Sequence, residues 1–160
     1  MKILVDADSC PKAARHLILR SVARTALTAI FVANRPIPQI TGPGVVMEVC
    51  PAGDGAADDR IMELARPGDL AVTRDIPLAS RLVEAAIQVI DDRGHVYTKE
   101  NIREKLSIRN FTVRLADNGL APERTAAYGK RECKKFADSL DRLLGTLIRE
   151  ARKNSALPGY

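Results

Sequence analysis

The chain has 160 residues, 46% hydrophobic and 28% charged, with ten glycines, nine prolines and no Trp. That composition excludes collagen-like, low-complexity and wholly disordered chains. At this length a single core can bury roughly 68–70% of the unfolded surface. Net charge is +5 and unevenly spread: residues 1–92 carry ten basic and twelve acidic side chains, residues 93–160 fifteen and eight. An acidic first part joined to a basic second part fits a polyanion held near an acidic centre. Counts alone favour the plainer reading, in which Lys and Arg solvate helix faces. Cys10, Cys50 and Cys133 are odd in number and far apart, which excludes a disulfide framework or zinc ribbon. No signal-peptide core or membrane-spanning apolar run is found, so the expectation is a soluble, cytoplasmic protein with no membrane partner.

In chain order, Ile3–Val5 is a short apolar run that stops at Asp6, as a buried parallel strand does. Pro11 suits a first helical position, and Ala14, Leu17, Ile18 and Val22 recur at helical spacing from Lys12 to about Arg24. Strands follow at Ala29–Ala33 and Val45–Val49, separated by a loop holding Pro36, Pro38 and Pro43. A helix over Ala57–Ala65, a strand at Leu70–Thr73, a helix over Pro77–Ala86 and a strand at Gln88–Ile90 complete a β-α-β-β-α-β-α-β order. Such an order predicts a mostly parallel sheet between helix layers.

Beyond Gly94 the chain turns helical. Thr98 caps a predicted helix from Lys99 to about Leu106, and Arg109–Leu115 is a second piece. Residues 118–129 are rich in small and turn residues, and Glu132–Arg152 is one long amphipathic helix expected to pack on the sheet. One domain over 1–153 is expected, with the sheet in 1–94, helices in 95–153 and a disordered tail at 154–160.

The acids fall where chemistry would need them. In a parallel sheet the carboxyl ends of the strands share one rim, the place where open α/β sheets bind ligands. Asp6 and Asp8 follow the first strand, Asp58 and Asp59 open the helix after the third, Asp75 follows the fourth, and Asp91 and Asp92 the fifth. Gathered carboxylates repel one another unless a cation sits among them. Oxygen-only ligation suits Mg²⁺ or Mn²⁺, and two such ions about 3.5–4 Å apart activate water on a phosphodiester.

Rival readings stand beside this one. Asp at strand ends also caps helices, a serious rival for Asp58 and Asp59, and Asp69 lies on the opposite rim as a turn residue. Asp6-x-Asp8 also resembles the opening of aspartate-nucleophile phosphatases, with Asp6 as nucleophile. His16 reads as a solvated helix residue and His95 as a loop residue, while Cys10, near a helix start, is a candidate for a lowered thiol pKa.

Val5-Asp6-Ala7-Asp8-Ser9-Cys10-Pro11, Phe31-Val32-Ala33-Asn34, Ala57-Asp58, Gly68–Ala79 with its Thr73-Arg74-Asp75-Ile76-Pro77-Leu78-Ala79 run, Arg93-Gly94 and Phe136-Ala137-Asp138-Ser139-Leu140-Asp141 stand in order along the chain. Together they resemble the YaiI/YqxD family of bacterial proteins with a PIN-like domain, over residues 2–150. The resemblance implies a PIN-like α/β/α sandwich and metal-dependent nuclease activity, an inference by analogy of fold. Asp6, Asp8, Asp58 and Asp75 are then the metal-holding and catalytic residues, joined by Thr73 as a catalytic residue that supports the loop or a water, with Mg²⁺ or Mn²⁺ as cofactor. Asp59, Asp91 and Asp92 stand in a second rank. Arg15, Arg93, Arg109, Lys130 and Arg131 are the expected phosphate contacts of a nucleic acid, RNA in this reading, and a homo-oligomer is left open. The chain departs from the family twice: Gly55, beside Asp54, stands where a second acid is common, and Ala121–Ala126 replaces a Gly-Pro loop. A nucleic-acid-binding module without catalysis is the alternative those departures support.

Overall fold

The structure, a computed structural model, describes residues 1–120 and 126–156. Six strands, β1 (Lys2–Asp6), β2 (Thr28–Ala33), β3 (Val45–Val49), β4 (Leu70–Val72), β5 (Gln88–Ile90) and β6 (Val96–Tyr97), form one sheet in the order β3-β2-β1-β4-β5-β6. All neighbours pair in parallel except β5 and β6, which are antiparallel. The antiparallel edge was not anticipated and carries the sheet past the expected limit at Gly94. Two residues are too few to show a hydropathy period, and only the turn over Asp91–Gly94, closed by Gly94 N–H to the Asp91 carbonyl at 3.1 Å, brings β6 back onto β5.

Alternation along each strand divides the core in two. Ile3, Val5, Phe31 and Val72 pack with helices α1 (Lys12–Thr25) and α5 (Lys130–Ala156), whereas Leu4, Val32, Ala71 and Val89 pack with α2 (Ala56–Leu64), α3 (Ile76–Glu84) and α4 (Lys99–Asp117). The molecule is thus a three-layer α/β sandwich around a mostly parallel sheet. Most boundaries match expectation within two residues. Pro11 is the N-cap of α1 rather than its first helical residue. Residues 99–117 are one helix instead of two pieces, because no Gly or Pro interrupts them and Thr98 and Asn101 close a reciprocal capping box. The last helix continues through Ala156, three residues past the expected end of the domain. The Ala121–Thr125 part of the variant loop and residues 157–160 lie outside the described residues.

Helix α5 docks through Phe136, Leu140, Leu144 and Leu147, a stripe repeating at helical spacing. Its register is set by Gly94, whose φ of 88° suits glycine and where a Cβ would meet the Lys135 carbonyl oxygen at 2.6 Å. Ser139 Oγ donates to the Gly94 carbonyl at 2.9 Å, completing the joint. Gly94→Ala is expected to cost about 1–3 kcal/mol, since it adds backbone strain and pushes α5 off the turn. Chemical denaturation would measure the loss, and an unchanged midpoint would show that the joint yields freely.

Candidate functional site

Strand β1 lies at the centre of the sheet, with β2 on one side and β4 on the other. From β1 the chain passes to α1 on one face, and from β4 to α3 on the opposite face. The two connections part above the strand ends and leave a crevice at this topological switch point. A cleft of about 340 Å³ opens there, lined by Asp6, Asp8, Asp54, Asp58 and Asp75 together with Ser9, Asn34 and Gly55. The four acids expected from sequence therefore share one site, and Asp54 adds a fifth.

The carboxylates of Asp6, Asp8 and Asp75 are each held through one oxygen, and the other oxygen accepts no hydrogen bond from the described residues. Asp6, the last residue of β1 and only 7% exposed, accepts from Ser9 Oγ at 2.7 Å and Thr73 Oγ1 at 2.9 Å, both on Oδ2. Thr73 Oγ1 in turn accepts the Asp75 N–H at 3.0 Å, tying the ends of β1 and β4 together. Asp75 caps α3 by accepting the Leu78 N–H on Oδ1 at 2.8 Å. Asp8 accepts the Asn34 N–H on Oδ2 at 2.7 Å. Asp58 stands in the first turn of α2, but that helix is capped at Gly55 without any side-chain bond. The capping explanation for Asp58 and Asp59 thus fails.

Electrostatics mark the cleft as a site of repulsion. Burial raises the Asp6 carboxyl above its usual range, and the neighbouring Asp75 and Asp8 charges add to it, against hydrogen bonds from Ser9 and Thr73. Burial, Asp75 and Asp6 push Asp58 up to about 6. The Asp58 proton favours the folded state below its unfolded value of 3.8, and that contribution is lost as pH rises through about 6. A divalent cation bound at Asp58 would have to displace this proton. We expect Mn²⁺ to raise the melting temperature much more at pH ~7.5 than at pH ~5, with the difference reduced in Asp58→Asn. Thermal melts at the two pH values check it, and an increment independent of pH would contradict the assignment.

The donor set suits a hard cation: carboxylate oxygens, no thiolate, and charges that oppose one another without a counterion. Among the described residues no three Asp, Glu, His or Cys side chains converge into a ready-made chelate. A Mg²⁺ ion retains several waters and takes one or two carboxylates directly, which accords with acids spread around a cleft.

Other candidates lie elsewhere. Asp59 pairs with Arg81 at 3.0 Å on the surface. Asp91 holds the N–H groups of Arg93 and His95 and the His95 Nδ1, each at 2.9 Å, and Asp92 is paired with Arg74. Asp69, on the far rim, binds Lys2 Nζ at 2.5 Å and the Arg66 N–H, as its turn role requires. The Cys10 thiol is not activated. It is buried, and burial with the nearby Asp92 charge pushes it up to about 12, overriding any help from the helix start.

The five basic candidates are not gathered into one patch. Arg15 is turned back onto the Cys10 carbonyl, and Arg93 donates to the Ala126 carbonyl at 2.5 Å and lies over the Tyr128 ring. Arg109 projects from α4 on the opposite layer to Lys130 and Arg131, which are exposed at the start of α5. Ser9, Asp54 and Asn34 are the contributors that motif reasoning undervalued. Asn34 follows β2 directly, and only the pairing of β2 beside β1 brings its N–H to Asp8.

Comparison with known proteins agrees with the sequence motifs. The model of the uncharacterised YaiI/YqxD family matches residues 4–146. The chain belongs to the YaiI/YqxD family. It is 53% identical to a UPF0178 protein of Treponema pallidum over 99% of this chain and 90% of that one. It is 46% identical to a UPF0178 protein of Treponema denticola, over 97% and 99% of the two chains. A UPF0178 protein of Pseudomonas aeruginosa is 39% identical over 99% of each. No solved structure matches the chain. Among the described residues no helix is long and apolar enough to cross a membrane.

Proposed function

We propose that this protein is a PIN-like, metal-dependent nuclease that hydrolyses phosphodiester bonds in cytoplasmic RNA. The observation that supports this reading is the meeting of Asp6, Asp8, Asp58 and Asp75 in one cleft at the strand switch point, with Asp6 and Asp58 disfavoured as anions by burial and by their neighbours. Those carboxylates would hold Mg²⁺ or Mn²⁺, which when bound supplies Lewis acidity and a lowered pKa for attacking water. Ser9 and Thr73 orient Asp6 by donating to its Oδ2, leaving Oδ1 for the reaction. Asp75 is fixed through its capping bond, so its second oxygen keeps a defined direction. The open cleft admits a strand from solvent, while the carboxylates repel a phosphate until their charge is balanced.

Incubating the protein with end-labelled RNA and Mn²⁺ tests the proposal. Cleavage abolished by chelator and by Asp6→Asn with Asp75→Asn is expected, and cleavage unchanged in that double variant would refute the assignment. Gly55, at the position where the family commonly carries an acid, favours a second reading in which the chain binds RNA without cutting it. Metal-independent RNA binding with no cleavage product selects that reading.

A further inference from the structure

The helix next to the cleft has a charge pattern that the carboxylate chemistry does not use. Helix α1 contains no acidic residue, and Lys12, His16, Arg20 and Arg24 recur at every fourth position along it. Four residues of α-helix rise about 6 Å, so this is a single ridge of evenly spaced basic groups. All four are exposed, whereas Ala14, Ile18, Ser21 and Val22 on the opposite side are buried. Arg24 is paired with Asp141 at 2.5 Å. Among the described residues no carboxylate lies within 4.0 Å of Lys12 Nζ or the Arg20 guanidinium.

The ridge borders a groove. Lys12, His16, Leu17, Arg20 and Cys133 line one opening of about 530 Å³ between α1 and α5. Leu17, Arg20, Arg24, Ala137 and Asp141 line the next, of about 230 Å³. The paired residues advance together, Lys12 by Cys133 and Arg24 by Asp141, so α1 and α5 run side by side in the same direction. Both helices begin at the rim that holds the carboxylates: α1 starts six residues after Asp6, and α5 brings exposed Lys130, Arg131, Lys134 and Lys135 to the same end.

We infer that the α1–α5 groove is a docking track for the phosphate backbone of single-stranded RNA, with Lys12, Arg20 and His16 as its contacts, leading away from the carboxylate cleft. This rests on the nuclease reading for its purpose but not for its test. Charge complementarity selects a polyanion, and the concave wall between two helices suits an extended strand better than a flat anionic membrane. The described groove walls offer Leu17, Ala137 and the His16 imidazole but no Phe, Tyr or Trp, so base stacking is limited to His16. Binding is therefore led by phosphates, tolerant of sequence and strongly dependent on salt.

Fluorescence anisotropy of a labelled oligouridylate, measured with full-length protein in chelator so that no cleavage occurs, tests the track. Lys12→Glu with Arg20→Glu is expected to weaken binding at least tenfold at about 0.1 M salt. It should also flatten the plot of log affinity against log salt by roughly 1.4, as the loss of two phosphate contacts requires. Arg103→Glu with Arg114→Glu, on exposed positions of α4 in the other layer, makes the same charge change and should stay within about threefold of the unaltered protein. Because this assay reads binding alone, oligouridylate bound in chelator with no product formed when Mn²⁺ is supplied separates a failed nuclease from a failed track. Equal losses in both charge-reversed proteins would mean net charge alone, and would overturn the track. So would no binding of oligouridylate, or binding of anionic phospholipid vesicles in its place. Circular dichroism melts confirm that the variants fold.

Discussion

Asp6→Asn is expected to make the protein more stable without metal and at the same time to remove the proposed RNA cleavage and the proposed response to Mn²⁺. Asp6 is buried, its anion is disfavoured by burial and by Asp75 and Asp8, and asparagine is nearly the same shape. The amide oxygen still accepts from Ser9 and Thr73, so the substitution deletes a buried charge without deleting its hydrogen bonds. Each kcal/mol released raises the melting temperature of a chain this size by about 2–4 °C. A ligand at a hundred times its dissociation constant contributes about 2.7 kcal/mol, so losing metal binding removes a comparable increment. Turnover of RNA should fall by about 10²-fold or more, the scale set by removing one preorganised electrostatic group. Paired melts with and without Mn²⁺ read both signs. A variant that is less stable without metal and still stabilised by Mn²⁺ would show that Asp6 serves the fold rather than a cation.

Phe136→Ala is expected to be the most damaging single change to the fold. Phe136 is fully buried where α5 meets the sheet, and its own N–H lies beside Gly94 at the turn that sets α5 in register. Removing a buried aromatic ring costs about 3–5 kcal/mol, through lost transfer energy and the cavity left behind. The melting temperature should fall by about 6–20 °C. Because α5 forms one wall of the proposed RNA track, binding should weaken together with stability, while Phe136→Leu recovers much of both. Differential scanning calorimetry measures the first effect. A shift below about 2 °C would mean that α5 is held mainly by Leu140, Leu144 and Leu147.

The first five strands and the helices between them were legible because each is a complete local pattern. Apolar runs end at a turn residue, and the helices carry stripes at the correct period. The edge strand β6 was not legible, since Val96–Tyr97 is too short to show alternation and exists only through its partner β5. The break expected in α4 failed for a different reason. Beyond Ile102 that helix has no fully buried side chain, so no core-facing stripe joins the two helical pieces across residues 107–108, although nothing in residues 99–117 terminates it.

The carboxylates were legible one at a time, because an acid directly after an apolar strand stands out in any parallel sheet. Ser9, Asn34 and the basic ridge of α1 were less so, because their importance lies in what faces them. The amino-acid order alone settled the family, the α/β class and the placing of Asp6, Asp8, Asp58 and Asp75 at strand ends, since these depend on patterns within a few residues. Tertiary structure decided which of the rim acids share a cleft and which are consumed by Arg74, Arg81 and His95. It also decided that α1 and α5 lie side by side, since strand order and helix docking join residues far apart in the chain, as in the Arg24–Asp141 pair 117 positions apart. Local patterning sets what each segment is. Distance in the folded chain sets which charges meet.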